Sequence, residues 1–381
     1  MNGKNSQARA TGAIGIVRAL EAVAIILAGI LLSAAVLHAQ TVTSFEAPGA
    51  GTGIDQGTVA YNATAGGIIV GAYVDSAGVG HGYIRSTAGA FTVIDAPGAG
   101  TANNQGTSAI AVNASGTIVG TYRDSGSVEH GFVRSPSGTI TEFDAPGAGT
   151  GYQQGTEAIC INNAGTTSGH YTDAGGVSHG FVRSASGTIT TFDVPGAGTK
   201  DFEGTFPYAI NASNIVVGYY ADSGLVYHGF ARTPTGTILK INVTGAGTAE
   251  GEGTTIDTVN SGNIVAGYDN DLSNNFHAWF RATNGTITSF EVPGAGTGAG
   301  QGTTIQGINT AGVIAGYYTD QSDVTHGFSR ATDGTISSFD APSAGTGVAQ
   351  GTITYSINTA GEIVGAAIDA SRVLHGFFRT P

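Results

Sequence analysis

Histidine, aspartate and arginine recur in this chain at a fixed interval of 49 residues, and these are side chains that hydrolases and metal sites draw on. The histidines are His81, His130, His179, His228, His277, His326 and His375. A carboxylate stands six residues before each, at Asp75, Asp124, Asp173, Asp222, Asp271, Asp320 and Asp369. An arginine stands four after each, at Arg85, Arg134, Arg183, Arg232, Arg281, Arg330 and Arg379. A His/Asp pair can move protons or hold a metal. Identical pairs in every copy have no chemical logic, however, because a reaction needs one set. A polar clamp inside each repeat does. In a strand, His130, Phe132 and Arg134 point to one face, and Asp124 opens the preceding hairpin, where a carboxylate can accept turn amides. These three columns are therefore expected to build the repeat, with no metal site among them.

Function is then sought where the copies differ. One column precedes each Gly-Thr pair: Gln56, Gln105, Gln154, Glu203, Glu252, Gln301 and Gln350. Only two adjacent repeats replace the amide with a carboxylate. Near the axis of a sevenfold ring such groups would stand on the order of 7–10 Å apart. That spacing suits a water-bridged cation or two carboxylates flanking a glycosidic bond. The fourth repeat adds Lys200, Asp201, Phe202, Phe206 and Tyr208, and the fifth adds Glu250 and Asp257. Acidic and aromatic residues at one rim make Glu203, Glu252, Phe202, Phe206, Tyr208 and Asp257 the expected ligand-binding set, for a glycan or a protein. The alternative from another class is a polysaccharide hydrolase or lyase with Glu203 and Glu252 as acid and base; a third is a surface-assembly component. No other catalytic residue suggests itself, and no cofactor beyond a structural cation.

Other groups have plainer explanations. The Gly-Ala-Gly-Thr loops, such as Gly147 to Thr150, lack the following helix that a phosphate cradle requires. Glycines at 71, 120, 169, 218, 267, 316 and 365 lie mid-strand, where a neighbouring backbone or ring comes close. Cys160 is the only cysteine, which excludes an internal disulfide. Its counterparts Ala111, Ala209 and Gly307 make it a small filler. His170 stands outside the histidine column, with Tyr219, Tyr268 and Tyr317 as counterparts, and reads as a packed ring.

The elements that must position these residues are short strands. In the second repeat, Ala109–Asn113, Thr117–Tyr122, Val128–Arg134 and Thr139–Asp144 are apolar or β-branched runs separated by Gly, Asn, Asp and Ser turns. No useful length shows helical periodicity. Four antiparallel strands recurring seven times predict an all-β, seven-bladed β-propeller. A β-solenoid would need end caps that have no counterpart here. Thr41–Glu46 matches a fourth strand and is expected to complete the last blade beside strands from Ile353 to Arg379, closing the ring.

The repeats occupy residues 40–381 as a single domain. Ahead of them, Lys4, Arg9 and Arg18 precede an uncharged run, Ala22 to Leu37, and Leu37-His38-Ala39 is an acceptable cleavage site. Residues 1–39 are expected to be an export signal; a membrane anchor is the alternative, although the run is shorter than the roughly 20 residues a span needs. The remainder keeps 26 of the 27 acidic and 11 of the 14 basic residues, a formal charge of about −15. That argues against nucleic acid or anionic lipid as partners. Membrane association is expected only through the N-terminal segment, and a monomer is expected.

The His-Gly-Phe-x-Arg strand, the Ile-Asn-x-x-Gly turn and the Ile-Val-Gly-Tyr strand resemble the extracellular repeats called HAF, after His-Ala-Phe. The resemblance covers all seven repeats. Glycine takes the middle place in six of them; only His277-Ala278-Trp279 keeps alanine, and it replaces phenylalanine with the sole tryptophan. The resemblance implies an exported protein and brings no catalytic motif.

Overall fold

The computed structural model describes residues 40–381, so the leader expected over residues 1–39 lies outside the described residues. Among the described residues there are 29 strands and no helix. In the second repeat the inner strand Gly106–Val112 pairs antiparallel with Ile118–Arg123, that with Glu129–Arg134, and that with the outer strand Ile140–Phe143. The inner strand begins earlier than its apolar residues suggest, because Gly106 and Thr107 already oppose Arg123 and Tyr122. The same succession recurs along the chain. In the fifth repeat the inner strand is interrupted, running as Gly253–Thr254 and resuming as Thr258–Val259.

The outermost partner of Leu374–Arg379 is Val42–Phe45, with Val42 opposite Arg379 and Phe45 opposite Gly376. Gly57, which opens the first inner strand, bridges Leu374 in parallel. The same one-residue bridge joins each later inner strand to the third strand of the repeat before it, as Gly106 joins Gly80 and Gly155 joins Glu129. The strands therefore form a closed circuit.

The Gly-Thr dipeptide makes those junctions. Its glycine sits at φ between 111° and 122°, and a Cβ there would lie about 2.0 Å from the neighbouring carbonyl oxygen, as Gly155 does to Glu129 O. No other residue fits. The threonine hydroxyl accepts the amide eleven residues earlier, as Thr156 Oγ1 does from Ala145 at 2.9 Å, which ties the long loop to the inner strand. The mid-strand glycines have the expected cause: a Cβ on Gly71 would lie 2.0 Å from Val59 O and 2.7 Å from the Tyr83 hydroxyl.

The core lies between successive sheets. One apolar layer joins Val70 and Ile94 of the first repeat to Ala109, Ile118, Tyr122 and Phe132 of the second. Another joins Ala60, Tyr73 and Tyr83 to Val364 of the last repeat, sealing the circuit. The aromatic after each His-Gly or His-Ala pair (Tyr83, Phe132, Phe181, Phe230, Trp279, Phe328, Phe377) is fully buried. Several meet the outer-strand phenylalanine of the preceding repeat edge-on, as Phe181 meets Phe143 at 5.9 Å and 79°. Burying each such ring is worth about 2–3 kcal/mol.

At the turn after most inner strands, an asparagine links neighbours. Asn162 Oδ1 accepts the amides of Ala164 and Thr166 in its own turn. Its Nδ2 donates to Asn211 O in the next repeat at 3.0 Å. Asn113, Asn211 and Asn260 donate forward in the same way, and Asn358 donates to Thr64 O.

Candidate functional site

The histidine column is a clamp with two jaws. Each Nε2 faces the aspartate six residues earlier at 3.1–3.6 Å. Each Nδ1 meets a side chain that ends an outer strand: Asp95, Asp144, Asp193, Asn242, Glu291, Asp340 or, for His375, Glu46. Sequence reasoning missed this second partner. The turn aspartates also accept backbone amides, Asp124 Oδ1 from Gly126 and Val128 at 2.8 and 2.9 Å. Burial opposes the charged Asp124 carboxylate, but those amides and His130 outweigh it and hold its pKa below the usual value. A tyrosine such as Tyr122 stacks on the imidazole at 4.9 Å.

The arginines reach backward across the sheet boundary. Arg183 lies 4.8 Å from the Phe143 ring centroid, Arg232 4.7 Å from Phe192, and Arg85 4.7 Å from Phe45. Arg330 and Arg379 cover Phe290 and Phe339 in the same manner. Where the outer strand offers isoleucine instead, Ile94 before Arg134 and Ile241 before Arg281, there is no ring to cover.

The Gln/Glu column gives Glu203 and Glu252 a structural role. Both are buried. Glu203 Oε2 accepts the Lys200 amide at 2.8 Å and Glu252 Oε2 accepts the Ala249 amide at 2.8 Å. The glutamines do the same, Gln154 Oε1 taking the Gly151 amide at 2.8 Å. These side chains are loop fasteners packed over the glycine of the Gly-Thr loop motif, since a Cβ on Gly198 would fall 2.2 Å from Glu203 Oε2. One oxygen of each carboxylate is thus engaged by its own loop, as in the glutamine repeats.

The remaining expected residues divide between two places. Phe202 and Phe206 line a groove of about 730 Å³ shared by the third and fourth repeats, together with Tyr152, Glu157, His170 and Asp201. Tyr152 and Phe202 are 72% and 75% exposed, and Phe202 holds φ 64°. Behind them, Phe206 stacks on Tyr219 at 5.0 Å and meets the His170 ring at 5.3 Å. Tyr208 and Asp257 instead line a cavity of about 430 Å³ enclosed by the inner strands.

Beside the groove lies a polar cluster that sequence reasoning passed over. Glu157 faces His170 Nε2 at 3.4 Å. Glu129 is buried, pairs with Arg123, and accepts the Thr121 hydroxyl at 3.2 Å. Burial first and the charge of Glu157 second push the Glu129 pKa up, although Arg123 opposes this. Burial would raise Glu157 too, but the His170 imidazole outweighs it and leaves the pKa lowered. The available signal was variability on the inner half of the sheet. Glu157 shares its column with Val59, Ser108, Phe206, Thr255, Thr304 and Ile353, where only threonine occurs twice. Among the described residues, no group of three His, Cys, Asp or Glu is disposed to hold a metal ion.

No family model matches the chain, and no curated protein matches it. Among solved structures it is similar to the BP39L lectin from Burkholderia pseudomallei, at 10% identity, covering 84% of this chain and 94% of the lectin, with a TM-score of 0.49. It is similar to the dipeptidyl peptidase 4 of Porphyromonas gingivalis at 8% identity, covering 80% of this chain with a TM-score of 0.42, and spans 49% of that peptidase. It is also similar to AofleA from Arthrobotrys oligospora, at 12% identity over 79% of this chain and 90% of that one, with a TM-score of 0.44.

Proposed function

We propose that this chain is a seven-bladed β-propeller, four strands to a blade, that binds a glycan without cleaving it. The strand pairings support the count, since each repeat supplies an antiparallel run and Val42–Phe45 joins the last. The observation that carries the binding reading is the groove shared by the third and fourth repeats. The loop takes positive φ at this position in other repeats too, at Asp55, Asn104, Gln153 and Ala349, but only Phe202 sets a large, 75% exposed ring there. An exposed ring of that size is expected where a ligand covers it. Sugar rings offer flat apolar faces for Tyr152 and Phe202, while Glu157, His170 and Asp201 supply the few polar groups that orient a ligand. The proposed site is shared by the third and fourth repeats, where the Gln/Glu column suggested the fourth and fifth.

The test is calorimetry of residues 40–381 against a panel of oligosaccharides, repeated with Tyr152→Ala and Phe202→Ala. Weakening by roughly tenfold or more, at an unchanged melting temperature, is expected from the loss of one stacking partner. A parent that binds no member of the panel, or variants that bind as the parent does, would remove the reading.

One observation favours a second reading. Glu129 and Glu157 are neighbouring carboxylates whose surroundings push their pKa values in opposite directions, the arrangement an acid and base require. Turnover of a glycoside that stops in both Glu129→Gln and Glu157→Gln would support a hydrolase. Binding without turnover would exclude it for that ligand.

We also propose export, supported by the basic and apolar pattern of residues 1–39 and by the resemblance to HAF repeats. Fractionation of cells for the full chain tests it. A surface-assembly role would show as mass that grows with concentration in light scattering.

A further inference from the structure

The groove makes no use of the cavity inside the inner strands. There the chain places one residue per repeat, each 49 after the last: Tyr61, Ile110, Ile159, Tyr208, Asp257, Gln306 and Tyr355. The wall from the second and third repeats is aliphatic. The opposite wall carries three tyrosines, one amide and one carboxylate, and Asp257 is the sole charged side chain lining the cavity among the described residues. Asp257 lies at the interruption between Gly253–Thr254 and Thr258–Val259. Its Oδ2 is sealed from solvent and has no hydrogen-bond partner. Ser356 Oγ, on the same cavity, is likewise buried without a partner.

A carboxylate oxygen buried without a donor is costly unless the group keeps a proton or meets a cation, and the Asp257 side chain is otherwise half-buried along the cavity. Aromatic rings surround this one. Tyr208 stacks on Tyr219 at 5.7 Å and still has 40% of its surface exposed. The hydroxyls of Tyr208, Tyr268 and Tyr317 are pushed up by burial, and the Asp257 charge adds to it in each. No arginine, lysine or histidine lines the cavity to compete for the carboxylate. A bare metal ion would need more oxygen ligands than one carboxylate supplies. Ring faces beside a single acid suit an organic cation.

We propose that this cavity binds an organic ammonium ion, with Asp257 as counter-ion and Tyr208 as one of its ring faces. The site is separate from the glycan groove and goes beyond that reading. Burial pushes the Asp257 pKa to about 8, which favours the protonated carboxyl near neutral pH. Binding breaks the carboxyl O–H bond and releases that proton to the buffer, leaving carboxylate and ammonium paired.

The experiment is calorimetry of residues 40–381 with choline, and with its uncharged carbon analogue dimethylbutanol, at pH 6 and pH 8 and in buffers of different ionisation enthalpy. Choline is expected to bind with proton release, at least about tenfold more tightly at pH 8 than at pH 6, and the analogue is expected to bind far more weakly. Asp257→Asn and Asp257→Ile should abolish both the pH dependence and the preference for charge; isoleucine is already native to this column at Ile110 and Ile159, so the fold is expected to tolerate it. Tyr208→Leu should weaken choline binding while proton release persists. Equal binding of choline and its analogue, no binding of choline at either pH, or an unchanged Asp257→Asn would overturn the proposal. Phe202→Ala should leave choline binding intact, which separates failure here from failure of the groove.

Discussion

At the scale of single residues, the chain keeps its charged groups for holding itself together, and Asp257 departs from that habit. Its pKa is raised from 3.8 to about 8 by burial, so between those values the folded protein binds a proton that the unfolded chain has released. Stability contributed by the protonated form is complete below pH 3.8 and declines as pH rises toward 8, at a slope approaching about 1.4 kcal/mol per pH unit. Asp257→Asn is therefore expected to raise the melting temperature at pH 7 to 8, change it little near pH 4, and flatten the profile between. Thermal melts across that range check this. The loop-fastening carboxylates predict the contrary of a catalytic pair. In other repeats a glutamine accepts the loop amide and also donates onward, as Gln105 Nε2 does to Ser125 O at 3.0 Å. Glu203→Gln and Glu252→Gln should thus be neutral or stabilising by up to about 1 kcal/mol, measured by denaturant unfolding. A marked loss would show that the carboxylates have a second task.

Elements depend on a few positions. Phe230→Ala should cost about 3–5 kcal/mol, because the ring is fully buried and meets Phe192 edge-on at 6.1 Å. Thr156→Val, which leaves the buried Ala145 amide without its acceptor, should cost about 1–3 kcal/mol. Both are read by chemical denaturation. Much of this level was legible in the chain, since turn residues and hydroxyls that serve backbone geometry must recur wherever the geometry does. The side chain opposite each His Nδ1 was harder to see. It varies among Asp, Glu and Asn, and His375 finds its partner in Glu46, 329 residues away. The groove was harder still. Its residues recur nowhere, and Glu157 and His170 become neighbours only through strand pairing, Glu157 standing opposite His170 across the first two strands of the third repeat. The substitution at Glu203 and Glu252 caught the eye because its column is otherwise uniform, yet uniformity there reflects the loop that both side chains fasten.

For the whole molecule, closure by Val42–Phe45 is the feature on which the rest depends. A chain beginning at Glu46 would lose that strand, the Phe45–Tyr83 contact and the ring beneath Arg85. It would leave Leu374–Arg379 as an open edge. A fall in melting temperature of more than about 5 °C, with concentration-dependent light scattering, is the expected result. The amide relay points to a finer weakness. Every repeat shown to donate forward uses an asparagine, but the first repeat has Thr64 in that place, a receiver that cannot pass the bond on to Asn113. Asn309 of the sixth repeat also makes no such bond to Asn358, so the hoop lacks the stitch at two seams. Separation under mechanical load should begin at one of these two, first to second or sixth to seventh, and deuterium should enter there ahead of the other seams. Installing the absent carboxamide with Thr64→Asn should slow both at the first of them.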